Sequence, residues 1–300
     1  MTVPFACPKG GKAVPPGRKS REQRGMVSCK GCRPLPMGSN CAGYGRPFYA
    51  LEDETVKIAL ASAPVRTRDV EYNLSAMLQA IRQCGGQADL VLFGESVLQG
   101  FDCLSWDYET DRRMAVSRED SRMMRIRDAA RHSQIAVSFG YIERAGDALF
   151  SSQLVIDASG TVIHNFHRVS VGWKEYWHTD GHYQEGANFE AFSYLGKRLA
   201  IALCGDLWTE GRPQEMRRLR ADAVLWPVWC DYNARRWNES VKYDYARQAA
   251  LCGDCVVYVN PFCVDSEGMD IASGGAACFR RGEIVREAPA GKSGVLLVEV

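Results

Sequence analysis

The sequence predicts a mixed α/β fold, in which helices cover the faces of a mixed β-sheet. From about Thr55 onward, short apolar runs typical of strands alternate with segments whose apolar residues follow helical spacing. Two hairpin signals add antiparallel strands to this pattern. The alternation occurs in both halves of the chain, which allows two paired sheets. With 46% hydrophobic and 24% charged residues, the 300-residue chain has the composition of an ordinary globular protein.

The first half of the chain begins with a strand, a helix and a second strand. Residues 56–61 form an apolar run that predicts a strand. Residues 73–84 have the apolar spacing of a helix, which Gly85 ends. Residues 88–93 predict a buried strand. The remaining elements of this half are a helix at 121–133, a strand at 135–142 and a hairpin of strands at 149–157 and 161–168.

The second half continues the alternation of strands and helices. Its predicted elements are strands at 198–204, 223–226 and 255–259, helices at 212–220 and 240–251, a hairpin around 280–282 and a final strand at 294–300. Because strands and helices alternate without a linker-like interruption, we predict one domain over residues 47–300.

Residues 1–46 differ from this domain in composition. They are rich in Gly, Pro and basic residues, contain Glu22 as their only acidic residue, and show no helical or strand periodicity. We therefore predict a flexible basic tail. A start codon placed too early, with Met26 or Met37 as the true start, is an alternative. A zinc-binding module is a third reading, built on the cysteines of the tail, which are Cys7, Cys29, Cys32 and Cys41.

Charge and cysteine content narrow the class of protein. The 37 Lys and Arg residues and 36 Asp and Glu residues give a net charge of +1, which argues against nucleic-acid partners and membrane surfaces. No apolar run approaches the ~18–20 residues of a membrane span, and the first residues lack the apolar core of a secretory signal. We therefore expect a cytoplasmic protein whose 12 cysteines are reduced.

Three reactive side chains follow predicted buried strands, where α/β proteins build their sites. Glu95 follows the strand at 88–93 and is either a functional base or a neighbour of a helix N-cap. Cys204 is followed by Gly205 and Asp206, in an arrangement that resembles a nucleophile elbow. Backbone N–H groups at such a turn lower a thiol pKa and bind an oxyanion. The alternative is a small buried thiol, with Asp206 capping the turn.

The third place is a charged loop after the predicted strand at 161–168. It contains Arg168, Lys174 and Glu175, which form either a solvated surface loop or part of a site. Trp173 lies among them and favours a partly buried setting. We therefore expect Trp173 to contact a substrate.

Taken in this order, the three places resemble the nitrilase, or carbon–nitrogen hydrolase, superfamily over residues 55–300. The matching segments are residues 58–60, 93–101, 204–206, 226–227, 246–249 and 258–260. The resemblance implies a four-layer α-β-β-α sandwich and a homodimer or larger homo-oligomer. It implies no cofactor, because a thiol, a base and a cation suffice for hydrolysis.

The resemblance also implies roles for individual residues. Glu95 matches the general base, and Cys204 matches the nucleophile that attacks an amide or nitrile carbon. The backbone N–H of Gly205 matches an oxyanion donor. Glu175 matches a second glutamate that many members have near the substrate amide. Trp229, which follows a predicted strand, either shapes the substrate pocket or packs in the core, and no metal is implied.

The sequence departs from the family pattern where a lysine is usual. Alignment puts Arg168 at that position. Either Arg168 supplies the cation, although its planar fork does not place charge as an ammonium does, or Lys174 reaches the same pocket from the loop. Loss of activity is a third reading. The sequence therefore predicts hydrolysis of a small amide, nitrile or carbamoyl compound, with an amide preferred. The alternative is a catalytically inactive or regulatory small-molecule-binding protein on the same fold.

Overall fold

The described residues contain fourteen strands. The structure is a computed structural model that describes residues 55–265 and 271–300, so the predicted tail at 1–46 and its cysteines lie outside the described residues. In chain order the strands are β1 (Lys57–Ser62), β2 (Pro64–Val65), β3 (Leu90–Phe93), β4 (Ala136–Ala145), β5 (Ala148–Ile156), β6 (Val162–His167), β7 (Ala191–Tyr194), β8 (Lys197–Ile201), β9 (Ala223–Pro227), β10 (Cys255–Val259), β11 (Phe262–Cys263), β12 (Ala276–Arg280), β13 (Glu283–Ala288) and β14 (Gly294–Glu299).

Two six-stranded sheets have the same internal plan. The first sheet has the order β14-β1-β3-β4-β5-β6 and the second has the order β13-β12-β10-β9-β8-β7, while β2 and β11 form a separate pair. Three neighbouring strands are parallel in each sheet, namely β1, β3 and β4 in the first and β8, β9 and β10 in the second. Parallel strands end at one edge of a sheet, so the segments that follow β3 and β8 are placed where sites form.

Helices cover the outer face of each sheet. The α-helices of the described residues are α1 (Val70–Cys84), α2 (Tyr108–Met114), α3 (Ser121–Ser133), α4 (Arg212–Arg218), α5 (Ala234–Arg236) and α6 (Lys242–Cys252), with a π-helical segment at Trp237–Val241 between the last two. Helices α1 and α3 pack together beside the first sheet, and α4 and α6 pack together beside the second. Within the described residues, no helix has the length and apolar character needed to cross a bilayer.

The two sheets face each other and create the central layers. Strand β1 contacts β10 and β12, and β3 contacts β9. All residues of β3, β9 and β10 are buried, because each strand is covered by a helix layer on one side and a sheet on the other. The predicted four-layer α-β-β-α sandwich is thus confirmed.

Most predicted elements are present, and their differences have local causes. Helix α3 and strand β10 have the predicted bounds. Helix α1 begins at Val70, three residues before the predicted start, because the Asp69 side chain accepts a hydrogen bond from the N–H of Tyr72 and caps the helix. Helix α2 was not predicted, and its sequence has no apolar stripe, since Asp111 is its buried residue.

The predicted strand at 198–204 is wrong at its end. Strand β8 ends at Ile201, and Cys204 begins a short 3₁₀ helix, Cys204–Trp208. The chain turns because the carboxylate of Asp206 accepts a hydrogen bond from the N–H of Leu203 at 2.9 Å. That bond takes the backbone out of the sheet just before the thiol.

Candidate active site

Glu95 is a fully buried carboxylate just beyond the end of β3. Its Oε1 accepts hydrogen bonds from Arg168 Nη1 at 2.8 Å and Ser151 Oγ at 3.1 Å. Its Oε2 is buried and has no hydrogen-bond partner among the described residues. Gly140 on β4 permits this placement, since a Cβ there would lie 2.7 Å from the Glu95 Cα. One oxygen of Glu95 is therefore held in place while the other is left for another group.

Arg168 follows β6 and is the cation beside Glu95. Its guanidinium is buried, and its Nε donates a hydrogen bond to Ser170 Oγ at 2.9 Å. Burial acts to lower the pKa of Arg168, but the neighbouring Glu95, Cys204 and Asp206 raise it above its ordinary value. The guanidinium thus remains charged within the protein interior.

Cys204 lies in a sharp turn that follows β8 and begins the 3₁₀ helix Cys204–Trp208. Its φ of 41° is in the left-handed region, which costs a residue with a Cβ about 1–2 kcal/mol. The turn is held by the Cys204 carbonyl, which accepts a hydrogen bond from Trp226 Nε1 at 2.9 Å. Strain stored at a reactive residue is a common property of functional turns.

The thiol of Cys204 is kept neutral by its surroundings. Burial raises the pKa of Cys204 well above its ordinary value, Glu95 raises it further, and Arg168 acts in the opposite direction. The Sγ donates a hydrogen bond to the Trp229 carbonyl at 3.4 Å. A buried neutral thiol needs a base in order to act as a nucleophile.

Asp206 links the cysteine turn to the segment that follows Arg168. Its Oδ2 accepts the Leu203 N–H, and its Oδ1 accepts the N–H groups of Val169 and Ser170 at 3.1 and 2.8 Å. Burial raises the pKa of Asp206 to about 6, although Arg168 and these hydrogen bonds act to lower it. The turn cap considered from the sequence is therefore also a bridge between two parts of the site.

Lys174 lies in the predicted loop but pairs with other residues. Its Nζ forms an ion pair with Glu185 Oε1 at 2.8 Å and donates a hydrogen bond to the Tyr183 carbonyl. Among the described residues, no hydrogen bond or ion pair joins Lys174 to Glu95 or Cys204. The structure brings Arg168 together with the predicted base and thiol, and it brings Lys174 to a carboxylate within its own loop.

The other predicted site residues occupy two different environments. Trp229 is buried at the site, where its carbonyl receives the Cys204 thiol and its ring stacks on Phe101 with a centroid separation of 6.1 Å. Trp173 is buried in a separate apolar cluster and contacts the ring of Tyr183. Glu175 is partly buried, and its carbonyl accepts backbone hydrogen bonds within the loop.

Three site residues were missed by the sequence reasoning: Ser151, Ser170 and Phe101. Ser151 lies within the predicted strand at 149–157, where a Ser-Ser pair in an apolar run was the available signal. Phe101 lies at the end of the family-like segment 93–101 but was given no role, and Ser170 gave no signal that separated it from other loop residues. Within the described ranges, no three His, Cys, Asp or Glu residues are grouped so that they could hold a metal ion.

Known proteins resemble this chain in sequence and in fold. The carbon–nitrogen hydrolase family model matches residues 57–300. An (R)-stereoselective amidase from Pseudomonas sp. is 24% identical over 170 residues, which is 57% of this chain and 59% of the amidase. A double mutant of the amidase from Nesterenkonia sp. AN1, in complex with acrylamide, matches with a TM-score of 0.65 and 17% identity, over 82% of this chain and 90% of that one.

A glutamine-dependent NAD⁺ synthetase from Acinetobacter baumannii matches with a TM-score of 0.63 and 22% identity, over 82% of this chain and 45% of that one. These structural likenesses show the fold. The match spans about three fifths of the Pseudomonas amidase. The amidase and nitrilase relatives support carbon–nitrogen hydrolase activity in general terms. Because the family model covers nearly all of the described residues, the chain belongs to the carbon–nitrogen hydrolase family.

Proposed function

We propose that this protein hydrolyses the C–N bond of a small amide through an acyl-enzyme on Cys204. The observation that carries the proposal is the buried grouping of a thiol, a cation and a carboxylate with one oxygen free of hydrogen bonds. A neutral thiol and a nearby carboxylate form a nucleophile–base pair. The family and its amidase relatives support the same reaction class.

The first half-reaction uses Glu95 as a base and then as an acid. Oε2 of Glu95 takes the thiol proton as Sγ of Cys204 bonds to the amide carbon, and the C=O electron pair moves onto oxygen. The oxyanion is stabilised by the N–H of Gly205 and the positive charge of Arg168. When the intermediate collapses, the C=O bond re-forms, the C–N bond breaks and the proton on Glu95 passes to nitrogen. Ammonia is released, and the acyl group stays on Cys204 as a thioester.

The second half-reaction hydrolyses that thioester. Glu95 takes a proton from water, the water oxygen bonds to the acyl carbon, and the intermediate again carries its charge next to Gly205 and Arg168. The C–S bond then breaks, the proton on Glu95 returns to Sγ of Cys204, and a carboxylic acid is released. The same base thus acts in both steps, which explains why one unoccupied oxygen is enough.

We assign the cation to Arg168 rather than to Lys174. The support is the 2.8 Å contact of its Nη1 with Glu95, while Lys174 pairs with Glu185. We expect Arg168→Met to lower kcat by at least about 100-fold, the effect of removing an oxyanion donor. Lys174→Met is the matched control and should change kcat by less than about tenfold. If Lys174→Met lowered kcat for ammonia release more than Arg168→Met did, the cation would be assigned to Lys174.

We infer a small acyl group from the residues around the thiol. The backbone carbonyl of Trp229 contacts the Cys204 thiol, and the ring of Trp229 stacks on Phe101. Aromatic side chains of residues this close to the nucleophile suit a short apolar acyl chain better than a charged one. A double mutant of the Nesterenkonia amidase is known in complex with acrylamide, so short aliphatic amides are the first compounds to test. Nitriles and carbamoyl compounds remain in the panel, because the same thiol attacks them.

A homodimer or larger assembly in the cytoplasm completes the proposal. Its basis is the family resemblance, in which helical faces pair. Sedimentation velocity at several concentrations measures it, and a monomer at all of them would remove this part of the proposal.

The central experiment measures ammonia release from aliphatic amides, nitriles and carbamoyl compounds. We expect release by the wild type, its loss in Cys204→Ala, and its retention in Cys252→Ala, a matched control whose buried thiol ends α6. Release that persists in Cys204→Ala would overturn the mechanism. If the wild type released no ammonia but bound a compound from the panel, the alternative of an inactive binding protein would replace the hydrolase.

A further inference from the structure

Two glycines flank the outer end of the Arg168 guanidinium. A Cβ added to Gly205 would lie 2.8 Å from Nη2 of Arg168 and 3.4 Å from Oγ of Ser170. A Cβ added to Gly172 would lie 3.0 Å from the same Nη2. Both glycines therefore leave the space that Nη2 occupies.

Backbone conformation does not explain these two glycines. Neither Gly172 nor Gly205 is among the glycines with positive φ, so alanine can adopt the backbone conformation of either position. What an alanine would meet is the guanidinium. The side-chain space, rather than the freedom of the backbone, is thus the property that glycine supplies at both positions.

The guanidinium cannot simply move away from an added methyl group. Its Nη1 is held by Glu95 and its Nε by Ser170, and the whole side chain is 3% exposed. Close-packed interiors leave little room for a displaced planar group. The third nitrogen, Nη2, is consequently held beside the backbone of Gly205, the residue that directly follows the candidate nucleophile Cys204.

We propose that Gly172 and Gly205 form a slot fitted to a guanidinium, and that this slot holds Nη2 of Arg168 in the position from which it serves the oxyanion role proposed above. The proposal rests on the proposed function and deepens it. A lysine has a single nitrogen, which cannot bond Glu95 and also fill a separate slot as the fork of arginine does. The slot makes Gly172 and Gly205 positioning residues for Arg168.

The test compares Gly205→Ala in two backgrounds. Alanine keeps the backbone N–H, so the substitution changes the slot alone. We expect Gly205→Ala to lower kcat by about 100-fold or more, with little change in KM, because the oxyanion donor is displaced. In the Arg168→Lys background, Gly205→Ala should lower kcat by less than about threefold relative to Arg168→Lys alone. Gly294→Ala, in open space at the start of β14, is the matched control and should behave as the wild type.

A second readout is independent of turnover. The rate of Cys204 alkylation by iodoacetamide, followed by mass spectrometry of its peptide, reports the charge around the thiol as a function of pH. The charged and titratable groups that act on this thiol are Glu95, Arg168 and Cys230. Gly205→Ala should move the alkylation curve to higher pH, because the guanidinium is pushed away from the thiol, and should not move it further in the Arg168→Lys background.

If Gly205→Ala lowered kcat by the same factor in both backgrounds, the proposed slot would be overturned. An alkylation curve that does not move in Gly205→Ala would overturn it as well. If Gly205→Ala does not fold, Gly172→Ala provides the same comparison with a smaller expected effect, since its contact is longer. A shifted alkylation curve in a protein that releases no ammonia would retain the slot and reject the proposed hydrolysis. The two proposals therefore fail in different ways.

Discussion

Two buried glutamates lie on opposite faces of the β5–β6 hairpin, and each is contacted by a serine of β5 and by a nitrogen-bearing side chain at the end of β6. Glu95 meets the inner face, where Ser151 and Arg168 contact it. Glu143 lies on the outer face, where Ser152 and His167 contact it. Because side chains alternate along a strand, the adjacent serines Ser151 and Ser152 and the adjacent residues His167 and Arg168 are divided between the faces. The hairpin thus builds two carboxylate sites from consecutive residues.

The two sites differ in whether both carboxylate oxygens of the glutamate have partners. Oε2 of Glu143 accepts hydrogen bonds from Ser152, Asn165 and His167 at 2.8, 2.8 and 2.9 Å, and its Oε1 forms an ion pair with Arg118 at 3.3 Å. Both oxygens are therefore engaged. Glu95 has both of its donors on Oε1 and lies beside a thiol. Both glutamates are buried, so the feature that distinguishes Glu95 is its free oxygen in the site that contains the candidate nucleophile Cys204.

The largest expected difference between the two sites is in catalysis. Glutamine replaces glutamate with nearly the same shape but removes the basic oxygen. We expect Glu95→Gln to lower kcat for ammonia release by at least about 1000-fold, within the range attributed to a general base. Glu143→Gln should lower it by less than about tenfold. Circular dichroism of both variants checks that they are folded, and similar losses of activity in the two would reject the contrast.

The adjacent serines provide a second, smaller contrast. Ser151→Ala removes one of the two hydrogen bonds that hold Glu95, and a net hydrogen bond of about 1–1.5 kcal/mol corresponds to roughly a tenfold fall in kcat. Ser152→Ala should leave kcat unchanged and lower the free energy of unfolding by about 1–2 kcal/mol. Parallel kinetics and urea titrations measure both effects. A fall in kcat confined to Ser152→Ala would mean that the reacting carboxylate is Glu143 on the outer face.

The smallest expected effect is the pH dependence of stability due to Glu143. Burial acts to raise the pKa of Glu143, but hydrogen bonds from His167, Asn165 and Ser152 outweigh it and hold the pKa below its ordinary value of 4.5. A carboxyl with a lowered native pKa stabilises the fold above its unfolded pKa, and this stabilisation is lost as the pH falls through the native value.

Urea unfolding from pH 6 to pH 3 measures this contribution. The wild type should lose more free energy of unfolding across that range than Glu143→Gln, in which position 143 no longer titrates. Equal slopes for the two proteins would mean that the outer glutamate is not stabilised as a carboxylate.

The candidate site was predicted in part because its residues follow strands. Glu95 and Cys204 each come after an apolar run, and the carboxyl ends of parallel strands meet at one edge of a sheet. Local pattern also predicted α3 and β10 with their bounds. The end of β8 was predicted wrongly, since the hydrogen bond of Asp206 that turns the chain competes with the apolar run 198–204. A side-chain bond of this kind leaves no periodic signal.

The alternation of strands and helices could be read from the amino-acid sequence, because it depends on local composition and spacing. The family and the thiol and carboxylate expected to react came from the resemblance of ordered motifs. Three features became visible in the folded protein alone: Arg168 rather than Lys174 contacts Glu95, one oxygen of Glu95 stays free, and Gly205 makes room for the guanidinium. The physical reason is distance along the chain: the Glu95–Arg168 contact joins residues 73 positions apart, and packing of the two sheets is what brings such residues together.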